Sequence, residues 1–426
     1  MKLESDDTSP YDYVIIGAGV LGRYSYYRLN CLFPHAKIAI LDGSRFISEL
    51  QTSTEVNSNI GYQGNSIRHS LLHAEGTKAW GGAMMPWPTE LLSWDESFST
   101  VCNRFDLQFT KSVEEIGIYS FDRIDAQVLK NIELSDFFDE RCILHALVTN
   151  IEKTSSDSYK VVFELENGSI KSVTSKAIFL AAGTIENTRL LFQSIQLIDE
   201  VSRHNLGQGL SDHLSISLGT FHINILNRRL RRFLKYSDLA GNEVWPRLVD
   251  TQNPNCHYFL HFRSIEQDAK VVPILSILHK VFFRIGFRKV EALLFLEKVS
   301  GNSYIAMPKD KLFIHFQLSE SELSNIKSLR NDLKKVLVKG LGIKFFKFRD
   351  VSDEKDLLPL ISDTLHPAGT IRSSNNPDVG VTNPKHQING SKGVYVLGAA
   401  TFERSSATHP TFTALCEAEA LIQNLV

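Results

Sequence analysis

A histidine late in the sequence occupies a position from which an imidazole could do acid–base chemistry. His409 directly precedes Pro410, and a proline fits the first position of a helix, with Thr408 or His409 as the cap. The apolar residues that follow at near-helical spacing are Phe412, Leu415, Ala418 and Ile422. The positive end of a helix dipole disfavours a protonated imidazole. Taken alone, this pattern favours a plainer interpretation, a histidine in a surface loop.

A glycine turn near the other end of the sequence indicates nucleotide chemistry. Gly17, Gly19 and Gly22 stand in the pattern GxGxxG. These glycines permit a tight turn and let backbone amides approach a pyrophosphate at a helix N-terminus. Asp42 follows at about the expected distance and would accept hydrogen bonds from a ribose hydroxyl. The pattern therefore predicts dinucleotide binding.

The strands and the helix predicted around this glycine turn would hold it in position. An apolar run at residues 13–16 predicts a strand, residues 23–32 are compatible with a helix, and residues 37–41 predict a second strand that ends in Asp42. The motif does not separate NAD from FAD. A glycine turn at the front of so long a chain is typical of flavoproteins, in which later segments return to complete the FAD site.

One later segment has the pattern expected of such a return. Residues 142–151 predict a strand, residues 159–174 a hairpin, and residues 177–184 a buried strand. The small residues at the end of that buried strand are Ala182 and Gly183. They would let a ligand lie against the backbone at the carboxyl edge of a sheet, with Val148 flanking the adenine. An ordinary insertion of three strands explains the same stretch.

Composition and charge bound the class of protein. The chain has 426 residues, 43% of them hydrophobic and 22% charged, as expected for two or three globular units. A net charge of −2 gives no reason to expect a nucleic-acid partner. The scattered cysteines are Cys31, Cys102, Cys142, Cys256 and Cys416. This spacing fits neither a disulfide framework nor a zinc site and suits a reducing compartment.

The N-terminal residues and the apolar runs predict a soluble, cytoplasmic protein. Residues 1–10 are short of apolar side chains and do not form a secretory signal. No uncharged apolar run approaches the roughly 20 residues of a membrane helix, so no integral membrane segment is expected. Residues 271–296 are the most apolar stretch, but they include basic residues. They are interpreted as core, as a lid or as a peripheral membrane contact.

Five segments of the sequence match, in order, the motifs of one enzyme family. They are residues 17–22 (GAGVLG), 76–82 (GTKAWGG), 181–191 (AAGTIENTRLL) and 207–213 (GQGLSDH), and the tail from 366–370 (HPAGT) to 409–413 (HPTFT). In these segments the chain resembles the glucose–methanol–choline (GMC) oxidoreductases, FAD enzymes that oxidise alcohols and sugars. The likeness runs from about residue 11 to the end, while residues 214–360 show no motif.

The resemblance implies an α/β fold with two domains. Residues 1–213 and 361–426 would form a discontinuous, Rossmann-like FAD-binding domain, and residues 214–360 a sheet-based substrate-binding cap. Further residues that the resemblance places at FAD are Gly76, Thr77, Trp80, Gly81, Gly82, Gly398, Ala399, Pro410 and Thr411. Within the cap, residues 215–223 and 311–318 predict strands, and a capping box at residue 319 predicts a helix.

The second and third segments look most like the bacterial sugar and polyol branch, which includes pyranose-oxidase-like enzymes. In some of those enzymes a histidine just before the tryptophan binds the flavin covalently, and here that position is Ala79. The resemblance therefore implies non-covalent FAD. Gly398 and Asn383 stand where the family usually has aspartate. These departures keep open a redox-neutral flavoprotein, a lyase or cyclase on the same fold.

The resemblance gives His409 a partner and a role. The family pairs two residues over the flavin, and here they look like His366 and His409. His366 would take the hydroxyl proton as a base while the hydride passes to flavin N5, and His409 would hydrogen-bond the substrate oxygen. The helix from Pro410 would point its N-terminus at the flavin pyrimidine edge and stabilise negative charge there.

Other polar groups receive plainer interpretations. His69 and His73 are spaced for one helix face but lack a third ligand, so no metal site is predicted. Asp212 and His213 belong to a family motif and are assigned to packing at the domain border. The basic cluster at residues 228–232 is interpreted as a solvated face or as a contact to an anionic substrate.

Three functional hypotheses follow from these residues and from the resemblance. The leading hypothesis is an FAD-dependent oxidoreductase acting on a CH–OH group of a small-molecule sugar, polyol or other alcohol. The alternative is the redox-neutral flavoprotein. A third hypothesis, a non-catalytic nucleotide-binding protein, has no need of both His366 and His409.

Overall fold

The structure is a computed structural model of the chain. It describes residues 9–46, 54–62, 83–87, 96–109, 111–116, 119–128, 143–154, 158–223, 232–234, 236–237, 243–250, 258–265, 288–298, 301–342, 347–348, 351, 353–406 and 408–425. The α-helices in these ranges are α1 (Val20–Leu32), α2 (Glu96–Arg104), α3 (Thr184–Gln193), α4 (Glu320–Lys335) and α5 (Pro410–Gln423).

Strands are distributed along the whole described chain, which agrees with the predicted α/β class. The strands of the first half are β1 (Tyr11–Ile16), β2 (Ile38–Asp42), β3 (Thr54–Ser58), β4 (Ala83–Met84), β5 (Lys111–Ile116), β6 (Tyr119–Val128), β7 (Ile143–Lys153), β8 (Tyr159–Leu165) and β9 (Ile170–Leu180). Those of the second half are β10 (His213–Ile223), β11 (Tyr236–Ser237), β12 (Glu243–Asp250), β13 (Tyr258–Ile265), β14 (Arg288–Glu297), β15 (Tyr304–Ala306), β16 (Leu312–Phe316), β17 (Lys347–Phe348), β18 (Ile361–Asp363) and β19 (Val394–Val396).

The parallel strands of a six-stranded sheet bring the glycine turn and the later segments to one edge. Strand β1 pairs in parallel with β2 and β9, and β19 pairs in parallel with β9. The predicted order of strand, glycine turn, helix and strand at the front of the chain is confirmed. Because parallel strands end at the same edge, the residues after β1, β2, β9 and β19 lie close together. This edge holds Gly17, Asp42, Ala182 and Gly398.

Strand β9 belongs to two kinds of pairing at once. Its first half pairs antiparallel with β8, which forms the predicted hairpin, and its second half pairs in parallel with β1. The two halves meet at Ser175, which lies opposite both Tyr159 and Tyr11. The sequence suggested separate strands at residues 170–174 and 177–184. They form one strand because nothing between them, neither glycine nor proline, breaks the extended backbone.

A large antiparallel sheet occupies the middle of the chain, in the order β17-β10-β14-β13-β12-β6-β4. Side chains directly opposite each other on neighbouring strands share a face. One face carries a row of buried leucines and packs into a core with helix α4. The leucines of that row are Leu214, Leu248, Leu260 and Leu294.

Sheet membership does not follow the predicted domain boundary at residue 213. Strands β4, β5 and β6, at residues 83–128, join the sheet of the middle region. Strand β3 pairs in parallel with β16. The boundaries themselves stay a prediction, but the front of the chain contributes strands to both parts because their partners lie far away in sequence.

Two predictions for the middle region can be compared with the structure. The capping box is confirmed: Ser319 Oγ accepts a hydrogen bond from the Glu322 amide at 3.2 Å, and the Glu322 carboxylate accepts one from the Ser319 amide at 2.8 Å. The end of the apolar stretch 271–296 belongs to strand β14, with Val290, Ala292 and Leu294 buried in the core. Residues 271–287 lie outside the described residues.

Helix α5 is fixed against α1 by a buried carboxylate. Glu419 accepts a hydrogen bond from Tyr24 Oη at 2.7 Å and forms two bonds with the Arg28 guanidinium, each 2.6 Å long. Phe412 and Leu415 are completely buried in the same core. The start of α5, and with it His409, is therefore held in place.

Within the described ranges, none of the helices combines the length and apolar character needed to cross a bilayer.

Candidate active site

The glycine turn leaves room for a ligand at one position and for none at two others. Gly17 has φ +103°, and a Cβ there would lie 2.6 Å from the Ala181 carbonyl oxygen. A Cβ at Gly22 would overlap the carbonyl oxygen of Gly17. A Cβ at Gly19, in contrast, would meet nothing within 4 Å. Two glycines are thus needed for packing, whereas Gly19 faces open space.

Two helices begin at this edge without a side-chain cap. Gly19 is the N-cap of α1 and Gly183, at φ +84°, is the N-cap of α3, and in the described part of the chain neither helix has a side-chain cap. The first amides of a helix need acceptors, and the positive end of the dipole attracts anions. Gly183 also faces open space. The donors and the free volume fit the pyrophosphate of a dinucleotide such as FAD.

Asp42 is buried and directed at the backbone of the turn. Its Oδ1 accepts a hydrogen bond from the Ala18 amide at 3.0 Å, and its Oδ2 accepts one from the Ser44 amide at 3.3 Å. The carboxylate therefore fixes the glycine turn relative to the end of β2. Each carboxylate oxygen retains acceptor capacity, so the ribose contact stays a prediction.

Replacing Asp42 with alanine is expected to weaken FAD binding more than turnover of the loaded enzyme. Loss of a charge-assisted hydrogen bond to the ribose, together with a loosened turn, should cost on the order of 1.5–3 kcal/mol of binding free energy. Titration of apo-protein with FAD gives the dissociation constant. An unchanged value would refute the ribose assignment. Asp12→Ala, at an exposed ion pair with Lys176, serves as a control.

The remaining predicted cofactor residues divide into those that the structure describes and those that it does not. Val148 is buried, and its carbonyl oxygen accepts a hydrogen bond from Arg189 of helix α3 at 3.3 Å. Those at the carboxyl edge of β9 and β19 and at the start of α5 are Ala182, Gly183, Gly398, Ala399, Pro410 and Thr411. Those outside the described residues are Gly76, Thr77, Trp80, Gly81 and Gly82. His69 and His73 also lie outside them.

Three histidines from distant parts of the chain form one cluster. The rings of His366 and His409 have centroids 5.3 Å apart. The ring of His213 lies 4.6 Å from that of His366 and 5.9 Å from that of His409. His366 Nδ1 and His213 Nε2 are 3.0 Å apart, within hydrogen-bond distance. The two predicted catalytic histidines are thus neighbours, and a third imidazole touches both.

Asp212 holds the segment that carries His366. The backbone amide of His366 donates to the Asp212 carboxylate, with both oxygens 3.1 Å away. The Thr364 hydroxyl donates to the His213 carbonyl oxygen at 2.9 Å and lies 3.1 Å from His366 Nδ1. With the threonine proton engaged, His366 Nδ1 is assigned as the protonated nitrogen and Nε2 as the free acceptor.

A second carboxylate holds the segment before His409. Glu297 accepts hydrogen bonds from the Arg404 guanidinium at 2.6 and 3.1 Å and from the Ser406 amide at 3.0 Å. Glu297 ends strand β14 and lies directly opposite His213 in the register with β10. The segments that carry the two predicted catalytic histidines are therefore tied to one place on the large sheet, where β10 begins and β14 ends.

The two segments also contain residues in a left-handed backbone conformation. Leu365, next to His366, has φ +66°, and Ser406, three residues before His409, has φ +55°. Neither is a glycine, and a leucine in this region is under backbone strain. The surrounding hydrogen bonds to Asp212 and Glu297 hold these conformations in place.

Burial keeps the cluster neutral. It lowers the pKa of His366 from 6.5 to about 4. Burial is also the main cause that lowers the pKa of His213 and of His409, with His366 and the Arg247 guanidinium adding to it in both cases. Neutral imidazoles accept protons, as a base over a reacting alcohol must. His409 is the N-cap of α5 but makes no capping bond through its side chain, and its buried Nε2 has no hydrogen-bond partner in the described ranges.

The cluster shows what the sequence patterns missed. Asp212 and His213 were assigned to border packing, but His213 contacts both predicted catalytic histidines and Asp212 anchors one of them. The available signal was an acidic residue and a histidine within a shared motif. The ring nitrogens of the three histidines lie within 4.8 Å of one another, which is the reach of a metal ion. The absence of a metal stays a prediction.

The comparisons with known proteins agree with this arrangement. Residues 312–418 match the family model described as GMC oxidoreductase. Pyridoxine 4-oxidase from Mesorbium loti is similar in structure, with 12% identity and a TM-score of 0.58 over 97% of this chain and 99% of that one. A formate oxidase variant from Aspergillus oryzae RIB40, concerned with FAD modification, has 14% identity and a TM-score of 0.54 over 98% of each chain. The comparison with curated proteins found no match.

The segment that matches the family model includes both His366 and His409, and the two structural neighbours share the overall fold of this chain. The match over residues 312–418 agrees with the family expected from the sequence, and flavin-dependent oxidation stays a prediction. The sugar and polyol branch and the cytoplasmic location stay predictions.

Proposed function

We propose that the protein is an FAD-dependent oxidoreductase that oxidises a CH–OH group of a sugar, polyol or other alcohol, with His366 as the base. The observation that carries this proposal is the neutral cluster of His213, His366 and His409 beside the glycine edge. The cluster and the glycine edge are in contact, because Thr184 at the start of α3 donates a hydrogen bond to the carbonyl oxygen of Pro367, the residue after His366, at 2.6 Å. This bond joins the histidine cluster to the edge that we propose binds the nucleotide.

The residues of the chain divide the work of alcohol oxidation. FAD, when bound, supplies the hydride acceptor at N5. His366 Nε2 takes the hydroxyl proton, and the Nδ1 proton, held between Thr364 and His213, fixes the ring and its tautomer. His409 Nε2 has no partner in the described chain and is free to hydrogen-bond the substrate oxygen. The N-terminus of α5 contributes a positive dipole that favours negative charge in front of it.

The cofactor and the reaction class have a direct test. We expect the purified protein to be yellow and to release FAD on denaturation by acid or heat, because Ala79 stands where a covalent histidine could stand. Anaerobic bleaching of the flavin absorbance during a screen of alcohols and sugars identifies the donor. Flavin that stays on the polypeptide would contradict non-covalent binding, and a protein without flavin after reconstitution would contradict the proposed function.

The dependence of activity on pH follows from the lowered pKa of the clustered histidines. A base with a pKa near 6.5 would lose activity below that pH, whereas His366, with its pKa lowered to about 4, should stay neutral and active to about pH 5. Plotting kcat/KM against pH checks this, and an acid limb at 6.5 would contradict it. The unfolded chain binds more protons at this histidine between pH 6.5 and 4. Stability should therefore fall as pH drops through that window, and unfolding must be followed in parallel.

A further inference from the structure

Arg247 is a buried cation that has no acidic partner among the residues that the structure describes. It lies on strand β12 with 1% of its surface exposed. Its guanidinium carbon is 5.2 Å from the ring centroid of Trp245, 5.0 Å from that of Phe259 and 6.0 Å from that of Phe295. Within the described part of the chain its hydrogen bond is to His261 Nδ1, and its Nε is buried without a partner.

His261 does not neutralise this charge. Burial, followed by the charge of Arg247, holds the pKa of His261 well below its ordinary value, so the imidazole is neutral and accepts the guanidinium proton. Burial lowers the pKa of Arg247 to about 9, which still leaves it charged at neutral pH. A buried arginine is normally paired with a carboxylate, because an uncompensated charge in a dry site is costly. The site is therefore electrically incomplete.

The cation lies on the face of the large sheet that carries the histidine cluster. Phe259 lies opposite both Val249 and Phe295, and this register places Arg247, His261 and Phe295 on one face. His213 shares this face, since it lies opposite Glu297, two residues from Phe295. The Phe295 ring is also 6.3 Å from the His213 ring. Arg247 acts on the cluster directly, as its charge lowers the pKa of both His213 and His409.

Another basic group, Arg232, contrasts with this one. It belongs to the basic cluster at residues 228–232, which was interpreted from the sequence as a solvated face or as a contact to an anionic substrate. Arg232 is exposed and forms an ion pair with Glu114, and residues 228–231 lie outside the described ranges. For Arg232 the solvated-face interpretation fits, because its charge already has a partner and water. Arg247 has neither.

We propose that Arg247 binds a carboxylate carried by the substrate, so that the substrates are alcohols with a carboxylate group at the end opposite the reacting hydroxyl. This inference rests on the proposed function. The free Nε edge of a guanidinium matches a carboxylate in planar geometry. A single cation with one neutral histidine beside it suits one negative charge and not the nearly two of a phosphate. The aromatic rings around it favour an apolar or aromatic body between the two groups.

The same contact would couple binding to chemistry. A bound carboxylate would cancel the field of Arg247 at His213 and His409, and the pKa of those imidazoles would rise toward ordinary values. The cluster would then become more basic only when a substrate with the right charge is present. An alcohol without the carboxylate would leave the pKa of His213 and His409 lowered by Arg247.

Benzoate and its neutral isostere benzamide test the site without any turnover. Calorimetric titration of the oxidised holoprotein should show benzoate binding at least about tenfold tighter than benzamide. Arg247→Met should abolish this preference, and Arg247→Lys should retain part of it. Arg263→Met is the matched control, because Arg263 lies on the neighbouring strand, is exposed and pairs with Glu291. It should keep the full preference.

The outcomes separate this inference from the proposed function. Equal binding of benzoate and benzamide to the parent protein overturns the inference, as does a preference that survives in Arg247→Met. If Arg247→Met fails to fold, the comparison within the parent and Arg247→Lys still decides. Flavin content and flavin reduction are read separately. A protein that prefers benzoate but holds no FAD contradicts the proposed function while supporting the carboxylate site.

Discussion

Replacing His366 with alanine is expected to slow reduction of the flavin by the true substrate by about a hundred- to ten-thousand-fold, the usual contribution of a general base. The side chain that is lost carries the free Nε2 acceptor, and its neighbours His213 and Thr364 are bound to its other nitrogen. Activity should partly recover at high pH, where pre-ionised substrate no longer needs a base. Anaerobic stopped-flow reduction with matched FAD loading measures the rate.

Two control variants sharpen this comparison. His409→Asn should lose less activity, because asparagine can still hydrogen-bond the substrate oxygen and is also a good N-cap for helix α5. His315→Ala, at a partly buried position of β16 in a different sheet from His213, should reduce its flavin as fast as the parent. Parent-like reduction in His366→Ala would place the base elsewhere. Full conversion of substrate in both His366→Ala and His409→Asn would favour the redox-neutral alternative.

Replacing Gly19 with alanine is expected to raise the dissociation constant for FAD at least about tenfold while leaving the fold intact. In the protein alone the added methyl group meets nothing within 4 Å, so the apo-protein should keep its stability to within about 1 kcal/mol. With FAD bound, the same methyl group would occupy the space that backbone and pyrophosphate share. FAD titration and thermal unfolding of the apo-protein give the two quantities.

The glycine comparison has a matched control at another open position. A Cβ at Gly61 also meets nothing within 4 Å and needs no left-handed backbone, but Gly61 lies outside the glycine turn. Gly61→Ala should leave both stability and FAD affinity unchanged. An unaltered FAD affinity in Gly19→Ala would show that the pyrophosphate does not approach this turn. Gly17→Ala should instead destabilise the apo-protein, since its Cβ meets the Ala181 carbonyl.

Local sequence patterns predicted individual helices and strands. They did not predict which strands pair over long distances in the sequence. The strands at the front of the chain, the hairpin before β9 and the capping box of α4 depend on neighbouring residues, and these predictions are confirmed. The pairing of β3 with β16 and of β6 with β12 joins segments more than 100 residues apart. Short apolar alternation does not encode which distant strand will be the partner. The extent of each sheet therefore needed the structure.

The same distinction between local patterns and long-range contacts applies to the candidate active site. His366 and His409 were predicted together only through the resemblance, because no spacing in the sequence relates them. His213 and Arg247 were missed because they lie on different strands of the large sheet and approach the cluster only through its register. An isolated arginine in a strand looks like any surface charge. Its burial among aromatic rings becomes visible only in three dimensions.

The left-handed conformation of Leu365 has a consequence for protein engineering. A selection for heat resistance would favour glycine or asparagine at this position, since either tolerates the left-handed region better than leucine. The same exchange would remove a bulky side chain directly beside His366 and allow its segment more freedom. Improved shelf life would then come with a loss of catalytic precision, the familiar conflict between robustness and turnover. Libraries that aim at a more durable variant should leave position 365 unaltered.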